Sequence, residues 1–220
     1  MKKLILCLCL CSVVGLKAQN VKCLNDQVSV TKQAGWADKG NYDTYCAFGK
    51  WVNTTDYHAG LYKRTSASPN VSTLAEDVLN GIRTQSGVKN VQVISRGFYD
   101  GNPLADYFIE LTYSKDFRVA HDLRTLYVHK MIYAFAKNSE ISTPYYAEAT
   151  TSTELPANTA TTQFNEERPK FTAFLNTIRF PVSITNPKQP TGTHPGVVKI
   201  PQEGISLPKK PIPVPPRRGN

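Results

Sequence analysis

Three signatures that would announce an enzyme are missing from this sequence: it has no nucleophile elbow, no phosphate-binding glycine loop and no zinc-protease helix. Cysteine is scarce. Of the five in 220 residues, Cys7, Cys9 and Cys11 sit in an apolar N-terminal run, leaving Cys23 and Cys46, whose spacing fits neither a zinc site nor a thioredoxin motif. Histidine is limited to four residues. His121 and His129, placed on one regular strand, stand about 26 Å apart and cannot share a metal. A bend would be needed to bring either one to Glu110 or Asp106. No cofactor or metal site is therefore expected. Long hydrophobic runs are lacking too, since the stretch from Leu4 to Leu16 is too short to span a membrane comfortably.

That short run has another use. Lys2 and Lys3 precede it and Lys17-Ala18-Gln19 follows it, which is the charge order and length of a secretory signal peptide, residues 1–18, cleaved after Ala18. The alternatives are a retained anchor, or a lipid-bearing Cys7, Cys9 or Cys11, each preceded by Leu where a small residue is preferred. Export to the periplasm or the exterior makes Cys23 and Cys46 a candidate disulfide, against the alternative of two unpaired buried thiols. It also leaves no transmembrane segment after cleavage. The signal is of bacterial type, so the glycosylation sequons at Asn53-Thr54-Thr55 and Asn70-Val71-Ser72 read as coincidental.

Positive charge is abundant but unevenly placed. The formal net charge of +9 falls to +6 once Lys2, Lys3 and Lys17 leave with the signal peptide. From Pro187 onward, six Lys and Arg against Glu203 carry +5, so the remainder is near neutral at about +1. The basic character belongs to the tail, and no nucleic-acid-binding domain is implied. That tail, residues 187–220, holds nine of the fifteen prolines and ends KKPIPVPPRRGN. It predicts a disordered arm of extended polyproline II character, suited either to docking on an envelope protein or acidic surface, or to serving as a solvated spacer.

Residues 19–186 are expected to form one domain. Val21, Cys23, Val28 and Val30 suggest a short strand and then a loop to Trp36. Residues 44–52 and 56–62 are β-prone and aromatic, and Trp36, Trp51, Tyr57 and Tyr62 are candidates to line a ligand groove, although large aromatics also fill ordinary cores. Thr73-Leu74-Ala75-Glu76 reads as a capping box, followed by Leu74, Val78, Leu79 and Ile82 at helical spacing. Val88 to Lys137 then supplies three strand patterns, taken as the central sheet. Asp100-Gly101-Asn102-Pro103 is a turn between the first two, and both faces of the third are apolar enough to be covered. Residues 139–162 suggest a long loop. A second helix is expected near Asn165, with Glu166 and Glu167 at its positive end and Pro169 in its first turn.

The predicted class is α+β, an antiparallel sheet flanked by helices. The order of elements, with Tyr133-Ala134-Phe135 closing a long strand and Thr177-Ile178-Arg179-Phe180 closing a final helix, resembles the PsbP-like and Mog-like α/β/α sandwich over about Phe48 to Phe180. The resemblance implies a non-catalytic binding or assembly factor, with the ligand unspecified. The expectation is thus an exported, non-enzymatic module of the bacterial envelope. The alternative is an exported hydrolase or metal-dependent enzyme using His58, His121 and His129 with nearby carboxylates.

Overall fold

The computed structural model describes residues 18–64, 70–136 and 143–180. The expected signal peptide, apart from its last residue, and the proline-rich tail lie outside the described residues. Strands β1 (Gln19–Cys23) and β2 (Val28–Lys32) form an antiparallel hairpin of their own. Strands β3 (Ala37–Asn41), β4 (Tyr45–Val52), β5 (Thr55–Lys63), β6 (Val88–Phe98), β7 (Tyr107–Val119), β8 (Asp122–Ala134) and β9 (Tyr145–Thr153) build a seven-stranded sheet. Its order is β3-β4-β5-β9-β8-β7-β6, and every pairing is antiparallel. With helices α1 (Val71–Arg83) and α2 (Ala157–Asn176), the class is α+β.

The period-two alternation of the strands decides what each face buries. Ile109 and Leu111 of β7, with Ile132 and Ala134 of β8, pack under Leu74, Val78, Leu79 and Ile82 of α1. Met131, Tyr133 and Phe135 point the other way. They join Ala59, Leu61, Ala147 and Ala149 beneath Phe164, Phe171 and Phe174 of α2, and Val28 and Val30 of the hairpin complete this second core. Strand β8 is therefore covered on both sides, as its two apolar faces predict. Cys23 and Cys46 form a disulfide with a Cα separation of 5.5 Å, well within the range the bond needs. It ties the end of β1 to β4 inside the α2-side core.

Several expectations need correction. Val88–Lys137 is not the middle of the sheet: β6 is an edge strand, and the strand between β5 and β8 is β9. Strand β9 occupies residues expected to be loop, because Tyr-Tyr-Ala-Glu-Ala-Thr-Thr-Ser-Thr carries little apolar mass. Its small side chains Ala147, Ala149, Thr151 and Thr153 are nonetheless buried on the α2 side, where small volume lets a helix lie close. Helix α2 starts at Ala157, well before Asn165, and carries Pro169 in its interior. Helix α1 is capped by Asn70, whose Oδ1 accepts from the backbone N–H groups of Ser72 and Thr73, so Thr73 is inside the helix and the proposed box is not the cap. The single short strand expected through Val21, Cys23, Val28 and Val30 is two strands, β1 and β2, folded back on each other. Leu24, Asn25 and Asp26 turn the hairpin at positive φ, and β3 follows Trp36.

Candidate functional site

Helix α1 packs on β6, β7 and β8. Over the β3-β4-β5 half of the same face, and onto β9, the sheet carries a row of tyrosines. Tyr45, Tyr62 and Tyr146 stand side by side on β4, β5 and β9 because the register pairs Tyr45 with Tyr62 and Tyr62 with Tyr146. Tyr42 extends the row beyond β3. Successive ring centroids lie 4.8, 6.0 and 5.2 Å apart, and the two inner pairs are nearly parallel, at 20° and 16°. Glycines make room for this layer. A Cβ on Gly60 would come within 2.7 Å of the Tyr62 ring, and one on Gly40 within 2.8 Å of the rings of Tyr42 and Tyr45. The row therefore lies across positions where any side chain would displace it. It rises from Tyr146, which packs against the α1 core, to Tyr42, which is 55% exposed.

Polar groups brace the row from within the sheet. Lys130 Nζ lies 2.5 Å from Glu148 Oε2, and both side chains are nearly buried. Burial opposes the lysine's charge, but Glu148 outweighs it and holds the Lys130 ammonium above its ordinary range. His58 Nε2 is 2.8 Å from the Tyr62 hydroxyl, and burial, reinforced by Lys130, pushes that imidazole down. The phenols of Tyr45, Tyr62 and Tyr146 are pushed up, first by burial, and so remain neutral donors. Toward the far end of β4, Trp51 is 67% exposed, with Lys39 placed over its ring at 5.3 Å and paired with Asp56.

A second polar cluster lies on the opposite face, under α2. His129 is completely buried, stacked on Phe164 with 4.1 Å between ring centroids. Its Nδ1 is 3.2 Å from Thr161 Oγ1 and its Nε2 is 2.7 Å from Glu110 Oε1. Arg168 donates to both Glu110 oxygens, at 2.5 and 3.1 Å. Burial alone would raise the Glu110 pKa, but the hydrogen bonds from His129 and the Arg168 guanidinium bring it down to about 2. Thr161 also borders an open cleft of about 410 Å³ whose lining includes Thr112, Tyr127 and Asn158.

The four candidate groove aromatics do not line one groove. Trp36 and Tyr57 are buried on the α2 side. The Trp36 indole donates to Glu167 Oε1 at 3.1 Å, and Lys50 reaches the other carboxylate oxygen at 2.8 Å. Although burial opposes it, these bonds and one from Lys170 hold the Glu167 carboxyl below its usual range. Trp51 and Tyr62 lie on the other face, and of the four Tyr62 alone belongs to the stacked row. Tyr42, Tyr45 and Tyr146 complete the row: the first two are brought to Tyr62 by the registers of the β3–β4 and β4–β5 hairpins, and Tyr146 by the placing of β9 beside β5, which no local pattern records; the one local signal is Gly-Asn-Tyr and Gly-Leu-Tyr, a glycine two residues before a tyrosine. The three candidate histidines do not converge either. His58 and His129 occupy opposite faces and His121 sits in the β7–β8 turn. Among the described residues no group of three or more His, Cys, Asp or Glu could hold a metal ion, and no helix is long and apolar enough to cross a membrane.

No protein-family model matches the chain. No curated protein matches it. A solved structure from Bacteroides thetaiotaomicron is similar at a TM-score of 0.38 and 8% identity, over 75% of this chain and 49% of that one. The chain thus spans about half the length of that structure.

Proposed function

We propose that the protein is an exported, non-catalytic binding or assembly module of the bacterial envelope, and that it recognises its ligand through the tyrosine row Tyr42–Tyr45–Tyr62–Tyr146. The observation that carries this reading is the glycine-cleared, partly exposed aromatic layer on a half-face of the sheet, since aromatic rings left at a surface supply rigid contact area at low entropic cost. The disulfide and the N-terminal sequence support export. Helices on opposite faces of an antiparallel sheet are consistent with the PsbP-like sandwich. The test compares retention of components from envelope extract by the wild-type chain and by a Tyr42→Ala/Tyr45→Ala variant of unchanged melting midpoint. A component held by the wild type and lost by the variant is expected, and identical retention by both overturns the reading.

One observation favours a second reading, an exported hydrolase. Thr161, His129 and Glu110 stand in the order hydroxyl, imidazole, carboxylate beside a cleft. The Arg168 clamp on Glu110 and the Phe164 ring against the imidazole favour a structural strut instead. Labelling by a fluorophosphonate or β-lactone probe that disappears in Thr161→Ala would establish the hydrolase; absence of labelling removes it.

A further inference from the structure

We infer that the tyrosine row is the docking site of the chain's own proline-rich segment, Leu207 to Arg218. This inference rests on the row being a recognition surface and names its occupant. The first argument is chemical. Proline-rich segments of polyproline II form dock on aromatic surfaces, and they lose little conformational freedom in doing so because the conformation is set beforehand. Pro211, Pro213, Pro215 and Pro216 concentrate this character next to Lys209-Lys210 and Arg217-Arg218. The cationic flanks suit a tyrosine surface, whose ring faces attract ammonium and guanidinium groups, and exposed Asp43 stands beside Tyr42 at the outer end.

The second argument is dimensional. The row extends at most about 16 Å between its end centroids, from successive spacings of 4.8, 6.0 and 5.2 Å. Six residues of polyproline II, the length of Pro211–Pro216, cover about 18 Å.

The third is the place where the described chain ends. Phe180 packs 5.3 Å from Tyr145 and 5.0 Å from Phe135. Tyr145 is the immediate neighbour of Tyr146, so the chain leaves the fold at the same end of the sheet as the tyrosine row, on the opposite face. Residues 181–206, 26 in number, separate Phe180 from Leu207. Such a length has an end-to-end distance of about 30 Å as a flexible coil and reaches about 80 Å if fully extended as polyproline II, so in either form it can round the sheet end and keep the segment tethered near the row. A site too weak to capture a free peptide is therefore still filled in cis.

The test uses the full mature chain and a variant with Pro211→Ala, Pro213→Ala, Pro215→Ala and Pro216→Ala, compared by NMR. Resonances of Tyr42, Tyr45 and Tyr62 are expected to differ between the two, while the buried Trp36 indole on the other face stays unchanged. A synthetic peptide of residues 207–220 should shift the same tyrosine signals saturably in the variant, with at least ten-fold weaker apparent affinity for the wild-type chain, whose own segment competes. No shift in the variant at millimolar peptide, shifts confined to the α2 face, or equal affinity for both chains overturns the inference. Sedimentation should show wild-type monomer. A dimer that the proline substitutions dissolve would place a second copy's segment on the row and overturn docking in cis. If the peptide fails to bind while Tyr42→Ala/Tyr45→Ala still abolishes retention of an envelope component, only the occupant is wrong; loss of neither result to the tyrosine substitutions removes the recognition surface as well.

Discussion

His129 Nε2 lies 2.7 Å from Glu110 Oε1 beneath α2, and Arg168 completes the site by gripping both oxygens of the same carboxylate. A carboxylate so enclosed is held charged by its partners, and removing its charge strands them. Glu110→Gln is expected to lower unfolding free energy by about 3 kcal/mol in urea titrations, as for other buried pairs broken on one side. The pH dependence has a fixed sign. Because the folded-state pKa, about 2, lies below the usual 4.5, the group's stabilisation is complete above pH 4.5 and is lost as pH falls toward 2. Urea titrations between pH 6 and 2 should show the wild type losing stability over this window more steeply than Glu110→Gln. Parallel curves would contradict the assignment.

The disulfide closes the chain between residues 23 and 46 and fastens the β1–β2 hairpin to the sheet. Cys23→Ala with Cys46→Ala should cost roughly 3 kcal/mol, measured as a lowered melting midpoint in non-reducing buffer. An unchanged midpoint would show that the bond contributes nothing.

Ile132 is fully buried between the sheet and α1. Ile132→Ala should cost roughly 2–5 kcal/mol through lost burial and the cavity left behind. A loss well below 1 kcal/mol would contradict the packing of α1 on β8.

Gly60 is required by the ring that crosses it. Gly60→Ala puts a methyl group 2.7 Å from the Tyr62 ring and should swing that ring off the sheet, changing Tyr62 NMR signals while the chain stays folded. Unchanged Tyr62 signals would contradict the layered arrangement.

Much of the sheet was legible because alternation is a local signal: Tyr107, Ile109 and Leu111 against Phe108 and Glu110 on β7, and the two apolar faces of β8, follow from period two alone. Strand β9 and the start of α2 were not, since Ala147, Ala149, Thr151 and Thr153 contribute packing by being small, which no hydrophobic pattern records. The aromatic candidates failed for a related reason. Periodicity says which residues share a face within one strand, whereas Tyr45 meets Tyr62 through the register of the β4–β5 hairpin, and Tyr146 joins them only because β9 inserts between β5 and β8. Asn70 escaped notice as the helix cap because Thr73 and Glu76 offered a competing box three residues later.

The central claim, that the tyrosine row is where this protein meets its ligand, is most directly tested by tyrosine-selective nitration followed by peptide mapping, on the chain with its four tail prolines replaced, first purified and then expressed in intact envelopes, so that its own segment cannot account for any protection. Tyr42 and Tyr45 should be modified in the first and protected in the second, with Tyr127, on the opposite face, modified equally in both. Equal modification of Tyr42 and Tyr45 in the two samples would contradict the claim.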